Sequence, residues 1–161
     1  MITFEQFEEI TLETADTFPE EFFRELSGGV MVQEHSRLHP AAVDHDLFVM
    51  GEYHRDRYLG RFVVLYYGSF AACFRTCPDV VWRQEIRRVL LHEFRHHLES
   101  LAGERDLEIE DAVAVSQYKY RKQEEKYLTE KASGYRIDEA SLNKRTNVCD
   151  TGTTAIEEEI L

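Results

Sequence analysis

The chain has 161 residues, enough for one domain with a single sizeable core. At 43% hydrophobic and 31% charged residues the balance is that of a globular protein, and no apolar run approaches the roughly 18 residues that cross a bilayer. A formal charge of −12 argues against broad nucleic-acid binding, which needs a basic surface, so neither a nucleic-acid nor a membrane partner is expected.

The opening "MITFEQFEEI" is acidic and helix-like rather than a signal peptide, and a cytoplasmic location is expected. Thr3, with Gln6 three residues on, has the pattern of a capping box, and Phe4, Phe7, Ile10, Ala15 and Phe18 recur at helical spacing. Pro19 stops that helix, and "PEEFFREL" predicts a second short one ended by Gly28 and Gly29. Val30 to His35 alternate after the glycine pair, as a strand does. "SRLHPAAVDHD" is a predicted loop. Two strands are expected around a turn at "HRDRYLG". The first includes Phe48 to Met50. The second runs from Arg61 to Tyr67, β-branched and aromatic on both faces as in a strand covered on both sides.

The clearest element starts at Pro78 and Asp79 and ends at Gly103, the usual punctuation of a long helix. Trp82, Ile86, Val89, Leu90, Phe94, His97, Leu98 and Leu101 share its apolar face. After Gly103 a solvated helix is expected from about Asp111 to Ala132, then an acidic extension of little periodicity. Cys73, Cys77 and Cys149 are expected as reduced thiols; three residues separate the first two, which makes a poor zinc knuckle or redox motif.

The chemistry sits in "LLHEFRHHLESLAGERD", Leu90 to Asp106. His92 and His96 are i and i+4 on a helix, so both imidazoles face one way and can share a metal ion. Glu93 falls beside that ion rather than on it, placed to take a proton from a metal-bound water. Glu99 lies on the same face as both histidines and is a candidate third donor, its bland alternative being an ion pair with Arg95. His97 falls on the apolar side, as a core or supporting histidine and not a ligand. His35, His39, His45 and His54 share no ligand spacing and are expected to be solvated. Tyr66 and Tyr67 are candidates for oxyanion stabilisation, though a tyrosine in an apolar strand is more often core.

This stretch, with "FEQFEEITLETADTFPEEF" and "LFVMGEYHRD…FVVLYYGSF", resembles the small bacterial zincin-like metallopeptidases with an HExxHHxGxxD signature, over roughly residues 1 to 111. The resemblance implies an α+β fold over residues 1–111: an N-terminal helix, a small mixed or antiparallel sheet and a long active-site helix. Residues 112–161 are expected from their own pattern as a C-terminal helix and acidic tail. It implies zinc (Zn2+) as cofactor, a peptide or protein substrate, His92 and His96 as ligands, Glu93 as general base, and Asp106 of "GERD" as third ligand. Here the chain departs from the pattern: five residues, "LESLA", stand between HH and Gly where the family has one. The added helical turn keeps Glu99 as a rival to Asp106, with Glu108 and Glu110 behind them. Two other functions are consistent with the residues: a metal-dependent hydrolase of another bond, and a protein that binds metal for structure or serves as an interaction module.

Overall fold

The computed structural model describes residues 2–103, 106–133 and 154–155, with side chains for 2–103 and 110–130. The first helix, α1 (Phe4–Ala15), starts where its capping box places it. The Gln6 N–H donates to Thr3 Oγ1 at 3.3 Å, and the Thr3 N–H to Gln6 Oε1 at 3.0 Å. Phe7, Ile10 and Ala15 are buried on one side of it. The second helix expected after Pro19 shrinks to one 3-10 turn at Glu20–Phe23. Glu25 takes φ +61°, outside the helical region, so the helix cannot continue through "REL".

Strands β1 (Gly29–Gln33), β2 (Arg37–Leu38), β3 (Leu47–Val49), β4 (Gly51–Asp56) and β5 (Gly60–Tyr66) follow. The main sheet has the order β1-β5-β4, with β1 parallel and β4 antiparallel to β5. A smaller sheet pairs β2 and β3 antiparallel and sets β6 (Thr154–Ala155) parallel to β3. The expected loop at "SRLHPAAVDHD" thus contains a two-residue strand. The expected turn at "HRDRYLG" narrows to Arg57–Leu59, because His54 to Asp56 pair with Gly60 to Phe62. As predicted, the central strand β5 is covered on both faces: Val63, Val64 and Leu65 are all buried.

The sequence predicts strand through Tyr67. Instead β5 ends at Tyr66, and Tyr67 starts a helix, α2 (Tyr67–Phe74). Trp82 Nε1 donates to the Phe74 carbonyl at 2.9 Å and satisfies its C-terminal end. The long helix α3 (Asp79–Ala102) matches its expected span. It ends at Gly103, whose φ of +78° suits glycine and whose N–H donates to the Glu99 carbonyl.

Trp82, Ile86, Val89, Leu90 and Phe94 of α3 form the centre of the core, against Phe7 and Ile10 of α1, Val63 and Leu65 of β5, and Phe70 of α2. Phe94 meets Phe18 and Phe23 edge-on, at 5.3 and 5.0 Å between ring centres. This burial fixes the rotation of α3, and with it the direction in which the His92 edge points. The last helix, α4 (Asp106–Ser133), starts five residues before its expected beginning. The acidic tail expected after it lies outside the described residues, save the two of β6. Among the described residues, no helix is long and apolar enough to cross a membrane.

Candidate metal centre

His92 and His96 leave the solvent-side edge of α3 together. Their Nε2 atoms are 3.1 Å apart and their rings nearly perpendicular. Facing them is Asp111 of α4: Oδ1 is 3.5 Å from His92 Nε2, and Oδ2 is 3.1 Å from His96 Nε2. Among the described residues, this is the one group of three side chains converging as metal donors do. Donors about 2.0–2.1 Å from a tetrahedral zinc stand roughly 3.3 Å apart, and the spacings here bracket that value. Two imidazoles and a carboxylate are also the donor chemistry zinc accepts, so the residues present fit the ion.

Asp111 reaches the histidines because the chain turns back at Gly103. Seven residues of α3 carry it from His96 to Gly103, roughly 10 Å along a helix. Eight residues separate Gly103 from Asp111, nearly the same length in return. The turn inserted before Gly103 is therefore offset by a carboxylate lying further along α4. Asp106 is the first residue of α4, and its side chain lies outside the described residues. Glu99 favours protonation of His96 through its charge but is not part of the converging group. Glu108 also has its side chain outside the described residues, and Glu110 is not in the group.

Glu93 is buried at 5% exposure, between the histidines and the core. It lies under β4, which is the edge of the main sheet among the described residues. A Cβ at Gly51 would come within 2.7 Å of Val89 Cγ1 and 3.2 Å of Glu93 Oε1, so only glycine lets the strand cross α3 this closely. The strand's pairing alternates: the Tyr66 N–H donates to the Met50 carbonyl, and Tyr53 falls at a position directed off the sheet. Its backbone N–H favours the ionised Glu93 carboxylate. Burial, reinforced by the Asp111 and Glu52 charges, pushes the Glu93 carboxyl up to about 8 against the pull of His96 and Tyr53. A divalent cation among the three donors would supply the positive charge that favours its ionised form.

Burial also depresses the His92 imidazole. Burial opposes charge at His96 too, but the hydrogen bond to Asp111 and the carboxylates around it raise that group. His97 is fully buried, as expected of a core histidine. Its Nε2 is 2.8 Å from the Arg24 carbonyl, which can only accept, so Nδ1 is left to accept from Tyr53 Oη at 3.3 Å. His97 thereby fastens α3 to β4 and to the chain after the 3-10 turn.

The two tyrosines are both in use elsewhere. Tyr67 Oη donates to the Ile2 carbonyl at 2.9 Å, and Tyr66 Oη to Glu52 at 2.5 Å. Of the other histidines, His35 and His45 are exposed as expected. His54 is half-buried, stacked on Phe62 and 3.3 Å from Glu52; His39 is half-buried, with Nδ1 accepting from the Ala41 N–H.

An α+β chain with paired histidines and a glutamate on one helix, lying under the edge strand of a small sheet, defines a protein of the zincin class. The family model described as zincin-like metallopeptidase matches residues 30–114, just over half of the chain, and the chain belongs to that family. The matched span includes Glu93 and all three converging donors. A conserved hypothetical protein from Thermus thermophilus, known as a solved structure, is similar at 36% identity and a TM-score of 0.54, over 63% of this chain and 98% of its own. No curated protein matches.

Proposed function

We propose that the protein is a zinc-dependent peptidase, in which His92, His96 and Asp111 hold the ion and Glu93 is the general base. The observation that carries this reading is the convergence of Asp111 on both Nε2 atoms next to a buried glutamate. Three protein donors leave a tetrahedral ion one open position, which favours catalysis over a closed structural site. When bound, zinc supplies Lewis acidity and brings the pKa of a coordinated water near 7.

The chain's own residues do the rest. Glu93 takes the water's proton on its carboxylate and returns it to the departing amine. Among the described residues β4 has a strand on one side alone, and its other edge would offer backbone groups to an extended peptide, which adds to the sheet as a further strand. Tyr53, at a position of β4 directed off the sheet, has its backbone beside Glu93, so the base lies in line with the groups that would receive the peptide.

The test is zinc content and hydrolysis of a quenched fluorescent peptide library by the purified protein. Glu93→Gln should keep the metal and lose the cleavage; cleavage unchanged in that variant overturns the assignment of the base. For the third ligand, Asp111→Ala should weaken zinc by at least about tenfold, the scale of a lost metal-shell partner. Wild-type affinity in Asp111→Ala, with loss in Asp106→Ala or Glu99→Ala, would move the ligand to that residue.

A further inference from the structure

Among the described side chains of its helix, Asp111 has few apolar neighbours in the core: Val113, Tyr120 and Leu128 are all exposed. A stripe of polar contacts holds that helix instead. Tyr118 and Lys122 follow Asp111 by seven and eleven residues, which sets each within about 20° of Asp111 around α4, one to either side. Tyr118 is 3% exposed, and its Oη donates to Asp46 Oδ1 at 2.5 Å and accepts from the Val43 N–H at 3.1 Å. Lys122 Nζ lies 2.5 Å from Asp46 Oδ2 and 3.2 Å from Asp44. Glu125, one turn on, is 3.6 Å from the same ammonium.

The partner loop, residues 39–46 between β2 and β3, is fixed at its ends. The His39 N–H donates to the Leu47 carbonyl at 2.9 Å, Leu47 is fully buried, and the Arg37 N–H donates to the buried hydroxyl of Ser69 on α2. One end of this loop lies near the metal site, where His39 feels the Asp111 charge; the other carries Asp46. A core-anchored loop thus grips α4 about 10 to 16 Å along the helix from Asp111.

We propose that Asp46, Tyr118 and Lys122 form a latch that positions Asp111, so that the metal site is complete only while α4 is held against the 39–46 loop. They are positioning residues, acting on the ion only through Asp111, and the inference rests on Asp111 being the third ligand. The alternative is that the latch is merely structural, stabilising the fold without acting on the site.

Zinc affinity by competition with a chromophoric chelator tests this in four proteins: wild type, Asp46→Ala, Asp111→Ala and the double variant. Asp46→Ala should weaken zinc by about tenfold or more, as lost supporting partners do. In the Asp111→Ala background the same change should have no further effect, since nothing remains to position. Wild-type affinity in Asp46→Ala, or a loss that repeats in full in the double variant, overturns the latch while leaving the ligand assignment standing. Wild-type affinity in Asp111→Ala overturns the ligand assignment and the latch with it. Tyr118→Phe removes only the hydroxyl and repeats the test should Asp46→Ala fold poorly. Exchange of the pair, Asp46→Lys with Lys122→Asp, should recover part of the affinity that either change alone removes.

Discussion

The two helices that meet at the candidate metal centre are held in different ways. One side of α3 is wedged into the aromatic core, so its histidines are fixed by burial that amounts to roughly 1.5–3 kcal/mol for each large side chain. α4 shows water most of its surface and is held to the 39–46 loop by charge-assisted hydrogen bonds. In the proposed site, a rigid helix would set the geometry of two donors and a separately anchored helix would complete the set, so that rigidity and completeness can be changed independently.

The largest break should come on the α3 side. His92→Ala with His96→Ala should abolish stoichiometric zinc measured by elemental analysis, and full retention would show that the ion binds elsewhere. Glu93→Gln should cut turnover by about 10²–10⁴, the worth of a positioned base, with zinc content and circular dichroism kept.

The contrast in anchorage is sharpest in stability. Trp82→Ala on α3 should cost about 3–5 kcal/mol in urea unfolding of the metal-free protein. Tyr120→Ala on α4, where the ring is exposed, should stay within about 0.5 kcal/mol. Equal costs would erase the distinction between the helices. A smaller effect, about 1 kcal/mol, is expected from Tyr53→Phe, which removes the hydroxyl facing His97 and Ser100.

The smallest effect is on pH. Burial works against ionisation of Asp46, but hydrogen bonds from Lys122 and Tyr118 outweigh it and hold the carboxyl below its ordinary range. A group depressed in the folded state contributes fully above its unfolded value, near pH 4, and the contribution is lost as pH falls through the folded value. Hydrogen exchange in α4 should therefore quicken in acid before that in α3; simultaneous loss of protection would contradict it.

These differences also mark what is legible in the sequence. His92, Glu93 and His96 are read from one helix, because spacing along a helix is a local property, and the same rotation places His97 on the core side. Asp111 is not readable that way. Its position depends on a reversal at Gly103 and on two helical stretches of nearly equal length, neither of which is a motif. The family pattern points to Asp106, in a chain whose helix has grown by one turn. The helix α2 escapes the sequence for another reason: "YGSFAACF" continues the aromatic character of β5 without a break, and a short helix enclosed by core shows no polar face to betray its period. The strands around Gly51 are legible to within a few residues, since alternation gives strands but not their ends.

Among the described residues β4 is an edge strand, and that has a consequence for solubility. Unpaired backbone groups that can receive a peptide can equally receive the edge of a second copy of the chain, the first step of aggregation. On this strand Arg55 and Asp56 are exposed and place charge at its end. A flexible peptide can adjust to those charges, whereas a second folded copy would have to meet them in fixed register. These charges thus act as gatekeepers, admitting single strands and discouraging sheet-to-sheet growth.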